Sequence, residues 1–492
     1  MEMQFQRNAI GYLQTLLWEQ QKQEQTQQIR LSDTMPDIEH VIGCWGQILI
    51  RGKEWRSGSV GISGGIIAWV LYQPANEGTP CCVDTWIPFQ MNWDVNETEH
   101  DGTIEVCTSL CHMDARMLSD RKLMVRANIS AQMHAMVGTD TMLYTPADLP
   151  EDVQVLQRTY PVLLPAEAGE KQFDMEQQLE VPPDGARIHQ IVRFAALPKL
   201  TEYKIIADKL VLRGSVEIYV LYMDDIGKLN SHTWKLPFSQ YTQLDSEYPP
   251  EADVSVCFEL TQLELEQLEP DALNLKVSFT AQYVVFCMQN ITVTEDMYST
   301  QREVKISGGE MNLPSVLQKK VQETNVDFTT LESRIVDVSL HCEPAQIRRN
   351  EDRADITLEG AYQILYEDAE GKVQSVSERW QKTIMETVAP DTDYHLSLRL
   401  DELSEPGKMS GVALKIHENV LAMTPMKTVA GAQIGEALPR DPMRPSMILR
   451  RAEEDSLWDI AKSLGSTVEQ IQKINSIQGD PDEDKMLLIP IY

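Results

Sequence analysis

Basic residues are scarce in this sequence. Its 492 residues hold 43 Lys and Arg against 75 Asp and Glu, a net charge of −32. A surface of that sign repels nucleic-acid phosphates and anionic headgroups, so neither nucleic acid nor a bare membrane surface is expected as a partner. Long hydrophobic runs are missing too. The most apolar stretch, Gly61 to Tyr72, falls well short of the roughly 20 residues that cross a bilayer, so no membrane insertion is expected. The opening MEMQFQRNAIGYLQTLLWEQQ has polar residues inside every apolar stretch and no small-residue cleavage site, so we expect no signal peptide and a cytosolic protein. Cysteine is sparse: eight, spread over a long chain, read as buried thiols rather than as a disulfide framework.

Catalytic signatures are absent as well. There is no Gly-x-x-x-x-Gly-Lys-[Ser/Thr], no Gly-x-Ser-x-Gly and no His-Glu-x-x-His. GISGG at 61–65 lies in a strand pattern with no helix after it, and carboxylates are too abundant for one acid–base pair to stand out. No enzyme and no cofactor are expected. Cys107-x-x-x-Cys111-His112 has the residue types of a zinc site, but no second Cys/His pair follows at suitable spacing, so it reads as a turn between strands. Asp480-x-Asp482-x-Asp484 has the alternating carboxylates of a calcium loop. Lys485 stands where that loop needs its glycine and Ile491 where it needs its last carboxylate, so the segment reads as a solvated acidic loop.

What is present is repetition. Shifted by 150 residues, 36–72 falls on 186–222 without a gap: Gly64 meets Gly214, and Val70-Leu71-Tyr72 meets Val220-Leu221-Tyr222. Shifted by 144, Ile191-Val192 meets Ile335-Val336, and Leu221-Tyr222 meets Leu365-Tyr366; here Gly360 needs a gap to match Gly214. A tryptophan follows each tyrosine (Trp86, Trp234, Trp380), leading into Pro88-Phe89 and Pro237-Phe238 in the first two copies. KLVLRGSVEIYVLY and RADITLEGAYQILY alternate apolar and polar residues and are rich in Val, Ile and Tyr, which predicts strands. Asp224 to Lys228 and Asp368 to Lys372 predict hairpin turns. The repeated aromatics read as packing across the hairpin, and the glycines as bulges or close backbone approach.

The spacing of Phe5, Ala9, Tyr12, Leu13, Leu16 and Leu17 predicts a helix within 1–30. The fold class is mainly β: that helix, three β-rich modules at 31–149, 176–300 and 325–432, a Pro-rich linker at 439–446, and a small βααβ domain at 447–492. Pro150 to Pro183 and Met297 to Val326 read as connections between modules. In the tail, Ser456 caps a first helix that Gly465 ends, and Thr467 with Gln470 forms a capping box for a second.

The tail DSLWDIAKSLGSTVEQIQKIN…KMLLIP resembles the LysM family along nearly its whole length. That family usually binds N-acetylglucosamine-containing glycans such as peptidoglycan, and some members bind proteins instead. Two departures stand out: Glu454-Asp455-Ser456 replaces a Gly-Asp-Thr opening, and Asp480 to Lys485 lacks the glycine before the last strand. Three β-rich modules followed by such a tail resemble the SPOCS-domain spore-coat morphogenetic proteins. The resemblance implies a scaffold in the mother-cell cytoplasm that encases the forespore and recruits other spore-coat proteins. It also implies that the LysM domain contacts a stage IV sporulation protein A-type coat-basement ATPase. On that basis Asp455, Ser456, Leu457, Trp458, Ile460, Ile474 and Asn475 form the partner surface or its support, with Trp458 and Ile460 expected in the core. The alternatives are a peptidoglycan-binding protein of the cell wall or spore cortex, and a glycan-processing enzyme anchored by LysM.

Overall fold

β-Branched and aromatic residues at alternating positions carry most of this chain into antiparallel strands. The computed structural model describes residues 2–76, 78–95, 102–181, 186–328, 333–350, 352–387, 392–400, 411–439, 445–452, 455–482 and 485–491. Residues 440–444, the centre of the expected linker, lie outside them. One topology occurs three times. The first set is β1 (Phe5–Arg30), β2 (Ile38–Arg56), β3 (Ser59–Pro74), β4 (Cys81–Asp94), β5 (Thr103–Ser119) and β6 (Lys122–Pro146). The second is β7 (Val153–Glu180), β8 (Gln190–Ile206), β9 (Lys209–Met223), β10 (Leu229–Gln243), β11 (Asp253–Glu269) and β12 (Ala272–Ser299). The third is β13 (Arg302–Asp327), β14 (Arg334–Cys342), β15 (Gln346–Asn350), β16 (Arg353–Glu367), β17 (Val373–Thr387), β18 (Thr392–Leu400) and β19 (Gly411–Ala437). In each set the inner strands form a meander (β2-β3-β4, β8-β9-β10, and β16 flanked by β14, β15 and β17). The long first strand pairs with the last, which pairs on its other side with the strand before it, to make a second sheet (β1-β6-β5, β7-β12-β11, β13-β19-β18).

Three expectations are corrected. Residues 5–30 form no helix: β1 pairs with β6 along its whole length, from Phe5↔Pro146 to Arg30↔Lys122. A bulge at Leu16 moves the buried phase of the strand from Tyr12 to Leu17, and that phase change imitates helical spacing. The two supposed connections are β7 and β13, each on a sheet edge. Pro161, Pro165 and Pro314 sit on those edges, where a missing N–H breaks no inner ladder. Cys107 to His112 is no turn either; it runs through β5, with a bulge at Cys111.

The repeated glycines acquire a common reason. Gly64, Gly214 and Gly360 lie opposite Ile50, Leu200 and Cys342 in the meander. A Cβ there would stand 1.9–2.3 Å from the carbonyl oxygen of Leu49, Lys199 or His341. Phe89, Phe238 and Trp380 pair with these glycines from the other side. Trp380 therefore takes the place of the phenylalanines, not of Trp86 and Trp234, which explains the missing Pro-Phe in the third copy. Tyr72 and Tyr222 are buried, whereas Trp86 is 39% exposed. The hairpin turns form as expected. The Asp224 carboxylate accepts from the Ile226 and Lys228 amides, and Gly227 and Gly371 have φ of +81° and +78°.

The three sets pack about a common centre. One apolar cluster joins Trp45 and Trp69 of the first, Val192 and Tyr219 of the second, and Val336 and Leu365 of the third. Beside it lies a cavity of about 780 Å³, walled by residues of all three sets, among them Trp18, Cys107, Cys257, Glu259, His341 and His417.

The C-terminal domain is β20 (Met447–Arg451), α1 (Leu457–Leu464), α2 (Val468–Asn475) and β21 (Met486–Pro490), with β20 and β21 antiparallel. Ser456 caps α1, and Gly465 ends it at φ +64°. Thr467 caps α2 by accepting from the Gln470 amide at 3.3 Å. The reciprocal half of the capping box is not made, because the Gln470 side-chain oxygen is buried without a partner. No helix among the described residues is long and apolar enough to cross a membrane.

Candidate interaction site

The C-terminal domain lies against the end of β12. A bulge at Glu295 shifts the alternation of that strand just before Asp296. The Asp296 carboxylate accepts from the Trp458 indole N–H at 2.8 Å and from the Lys462 ammonium at 2.6 and 2.7 Å. Two residues on, the Tyr298 hydroxyl donates to the Ser466 carbonyl at 2.8 Å, and its ring meets Trp458 edge-on with centroids 4.8 Å apart. Tyr298 also belongs to the small core of the domain, with Leu457, Ile460, Ile471, Leu487 and Ile489. Burial pushes the Tyr298 hydroxyl up to about 12, with the Asp296 charge adding to the shift, so it remains a donor at neutral pH.

The seven residues singled out in the sequence separate by role. Leu457 and Ile460 are core. The Ser456 hydroxyl accepts from the Asp459 amide at 3.2 Å and donates to its carboxylate at 2.6 Å, so it is a cap. Trp458 is half-buried and spent on the contact with β12. Asn475 is a clamp: its side chain donates to the Ile471 carbonyl at 2.8 Å and the Leu488 carbonyl at 2.7 Å, and accepts from the Leu488 amide at 2.8 Å. Asp455 is exposed and paired with Arg450. Ile474 faces solvent from α2, 38% exposed. The seven residues do not converge on one surface.

Two features were not legible in the sequence. Asp480, in the loop before β21, reaches across to the start of α1 and accepts from the Leu457 amide at 2.9 Å. A carboxylate thus occupies a backbone donor at the helix N-terminus, where the dipole favours negative charge. Four more carboxylates of these two loops, Glu453, Glu454, Glu483 and Asp484, lie outside the described residues. Met447 and Leu449 on β20, with Met486 and Leu488 on β21, share the outer face of the two-stranded sheet, and all four are exposed. Alternation of apolar residues on both faces hid this stripe, since both faces read as core.

The chain thus combines repeated β modules with a βααβ tail docked on the second. Residues 187–268, from just before β8 through almost all of β11, match the family model described as SipL, SPOCS domain, and residues 452–490 match the LysM domain model. The chain therefore carries a SipL-type SPOCS domain and a LysM domain, which mark a sporulation-related protein with a peptidoglycan-binding-like module; neither domain is of an enzymatic family. Neither the curated proteins nor the solved structures yield a match to the chain.

Proposed function

We propose that this chain is a non-enzymatic spore-coat assembly scaffold, working at the forespore surface in the mother-cell cytoplasm, whose LysM domain holds a protein rather than a glycan. The observation that carries the reading is the Asp480 carboxylate on the Leu457 amide. It ties together the two loops that line the glycan groove in LysM-family domains, and it occupies a backbone donor at the start of α1. The exposed stripe of Met447, Leu449, Met486 and Leu488 adds an apolar face suited to a protein partner. The partner proposed is the stage IV sporulation protein A-type coat-basement ATPase, with the β modules meeting other spore-coat proteins. Tandem weak contacts on one chain would gain strength from effective concentration.

The test compares the full chain with a chain ending at Leu438, against the coat-basement ATPase and against purified peptidoglycan. Binding of the full chain alone to the ATPase, with none to glycan, supports the scaffold. Glycan binding that depends on residues 439–492 would establish the peptidoglycan reading in its place.

A further inference from the structure

The register of the strands puts two cysteines in equivalent places. Cys107 on β5 pairs with Gln132, and Cys257 on β11 pairs with Gln282, each 150 residues on in the repeat. The corresponding pair in the third set is Ser397 with His417. The first two sets dock through this region: the Gln282 amide group accepts from the Val106 N–H at 2.9 Å and donates to the Val106 carbonyl at 2.7 Å. Docking brings the Cys107 and Cys257 sulfurs and a Glu259 carboxylate oxygen within 4.8 Å of one another on the wall of the central cavity. Cys257 and Glu259 are buried.

We propose that Cys107, Cys257 and Glu259 form a zinc-class metal site that clamps the first β module to the second. Two sulfurs and one carboxylate oxygen suit a borderline-soft ion and exclude magnesium or calcium, which take oxygen ligands. The carboxylate is already oriented as a ligating one should be. The Thr108 amide and hydroxyl donate to its two oxygens at 2.7 and 2.6 Å, so its direction is fixed from the neighbouring strand. The cavity gives the ion an entry path and leaves a fourth position for water. Binding converts both thiols to thiolates and releases two protons to solvent, so affinity falls as pH falls. Cys111 and Cys342 also meet across a module boundary, with Glu343 beside Cys111, but among the described residues these groups do not close into a three-ligand cluster as Cys107, Cys257 and Glu259 do.

The experiment titrates the reduced, metal-free full chain with Co²⁺ and then Zn²⁺. One Co²⁺ per chain should bind with a thiolate-to-cobalt charge-transfer band that Zn²⁺ displaces. Cys107→Ser and Cys257→Ser should each abolish the band, Cys111→Ser should leave it, and Thr108→Val should weaken binding about tenfold. Should a serine variant fail to fold, alkylation of the wild-type chain decides: Zn²⁺ should shield Cys107 and Cys257 and not Cys81. Absence of the band, its survival in both serine variants, or a Cys107–Cys257 disulfide in the native chain would overturn the proposal.

Discussion

The Arg193 guanidinium and the Asp337 carboxylate form a two-pronged pair at the centre of the molecule, with Nε–Oδ2 at 3.0 Å and Nη2–Oδ1 at 2.6 Å. Arg193 belongs to the second set of strands and Asp337 to the third, and both are buried, 9% and 1% exposed. The Tyr219 hydroxyl donates to the same carboxylate at 2.7 Å, and the Trp45 ring of the first set faces the guanidinium at 5.4 Å. All three sets therefore contribute to one ion pair. Its desolvation is costly, and it is held by hydrogen bonds between the second and third sets and by the Trp45 ring of the first.

Removing one partner leaves the other charged and dry. We predict that Asp337→Asn lowers stability by about 3–5 kcal/mol, and that Arg193→Met combined with Asp337→Leu recovers much of the loss. Denaturant unfolding of the three chains checks this. Equal loss in the single and double variants would show that the pair is not what holds the centre.

Acid should loosen the same region. His341 lines the cavity and is half-buried, its Nδ1 in a 3.2 Å hydrogen bond with the Leu110 carbonyl of the first set. Burial pulls the imidazole down from 6.5 to about 4, against the pull of that hydrogen bond. The unfolded chain then takes up a proton that the folded chain refuses, so stability falls as pH falls from about 6.5 to about 4 and flattens below. Water in the cavity would soften the slope without changing its sign. His341→Asn, which keeps a donor near Nδ1, should show a smaller drop in unfolding midpoint across that window than the wild type.

The mainly β class was legible because alternation survives in strands such as Lys209 to Tyr222, and the tail because Ser456, Gly465 and Thr467 are local signals that need no partner. The role of β1 was not. Its register depends on β6, more than a hundred residues away, and one bulge at Leu16 erases the period-two signal. The same holds for the candidate site. Asp480 and Asp296 look like any other acidic residue until the fold brings them to Leu457 and Trp458. The tertiary pairing of Cys107 with Cys257 is likewise invisible in the spacing of either from its neighbours.

The dock between LysM and β12 rests on few groups and should be separable from folding. Asp296→Ala with Tyr298→Phe removes the acceptor of Trp458 and Lys462 and the donor to Ser466. We predict that limited proteolysis then releases the LysM domain several-fold faster, with the unfolding midpoint of the β modules unchanged. An unchanged cleavage rate would show that the apolar edge of Tyr298 alone holds the domain.

Within LysM, two adjacent residues should behave in opposite ways. Asn475 satisfies both backbone groups of Leu488 and the last carbonyl turn of α2, replacing a missing neighbour of β21. Asn475→Ala leaves those groups without partners at a typical cost of about 1–3 kcal/mol, a large fraction of the stability of so small a core. The Leu488 amide should then exchange with solvent much faster. Ile474 makes no such bonds and is exposed, so Ile474→Ala should leave exchange at Leu488 as it was. If α2 is part of the surface that meets the coat-basement ATPase, the same Ile474→Ala chain should bind that protein more weakly while Asn475→Ala fails through unfolding. Hydrogen exchange at Leu488 and affinity for the ATPase, measured on both variants, separate the two causes. Loss of exchange protection in Ile474→Ala would show that its side chain is structural and would remove α2 from the surface.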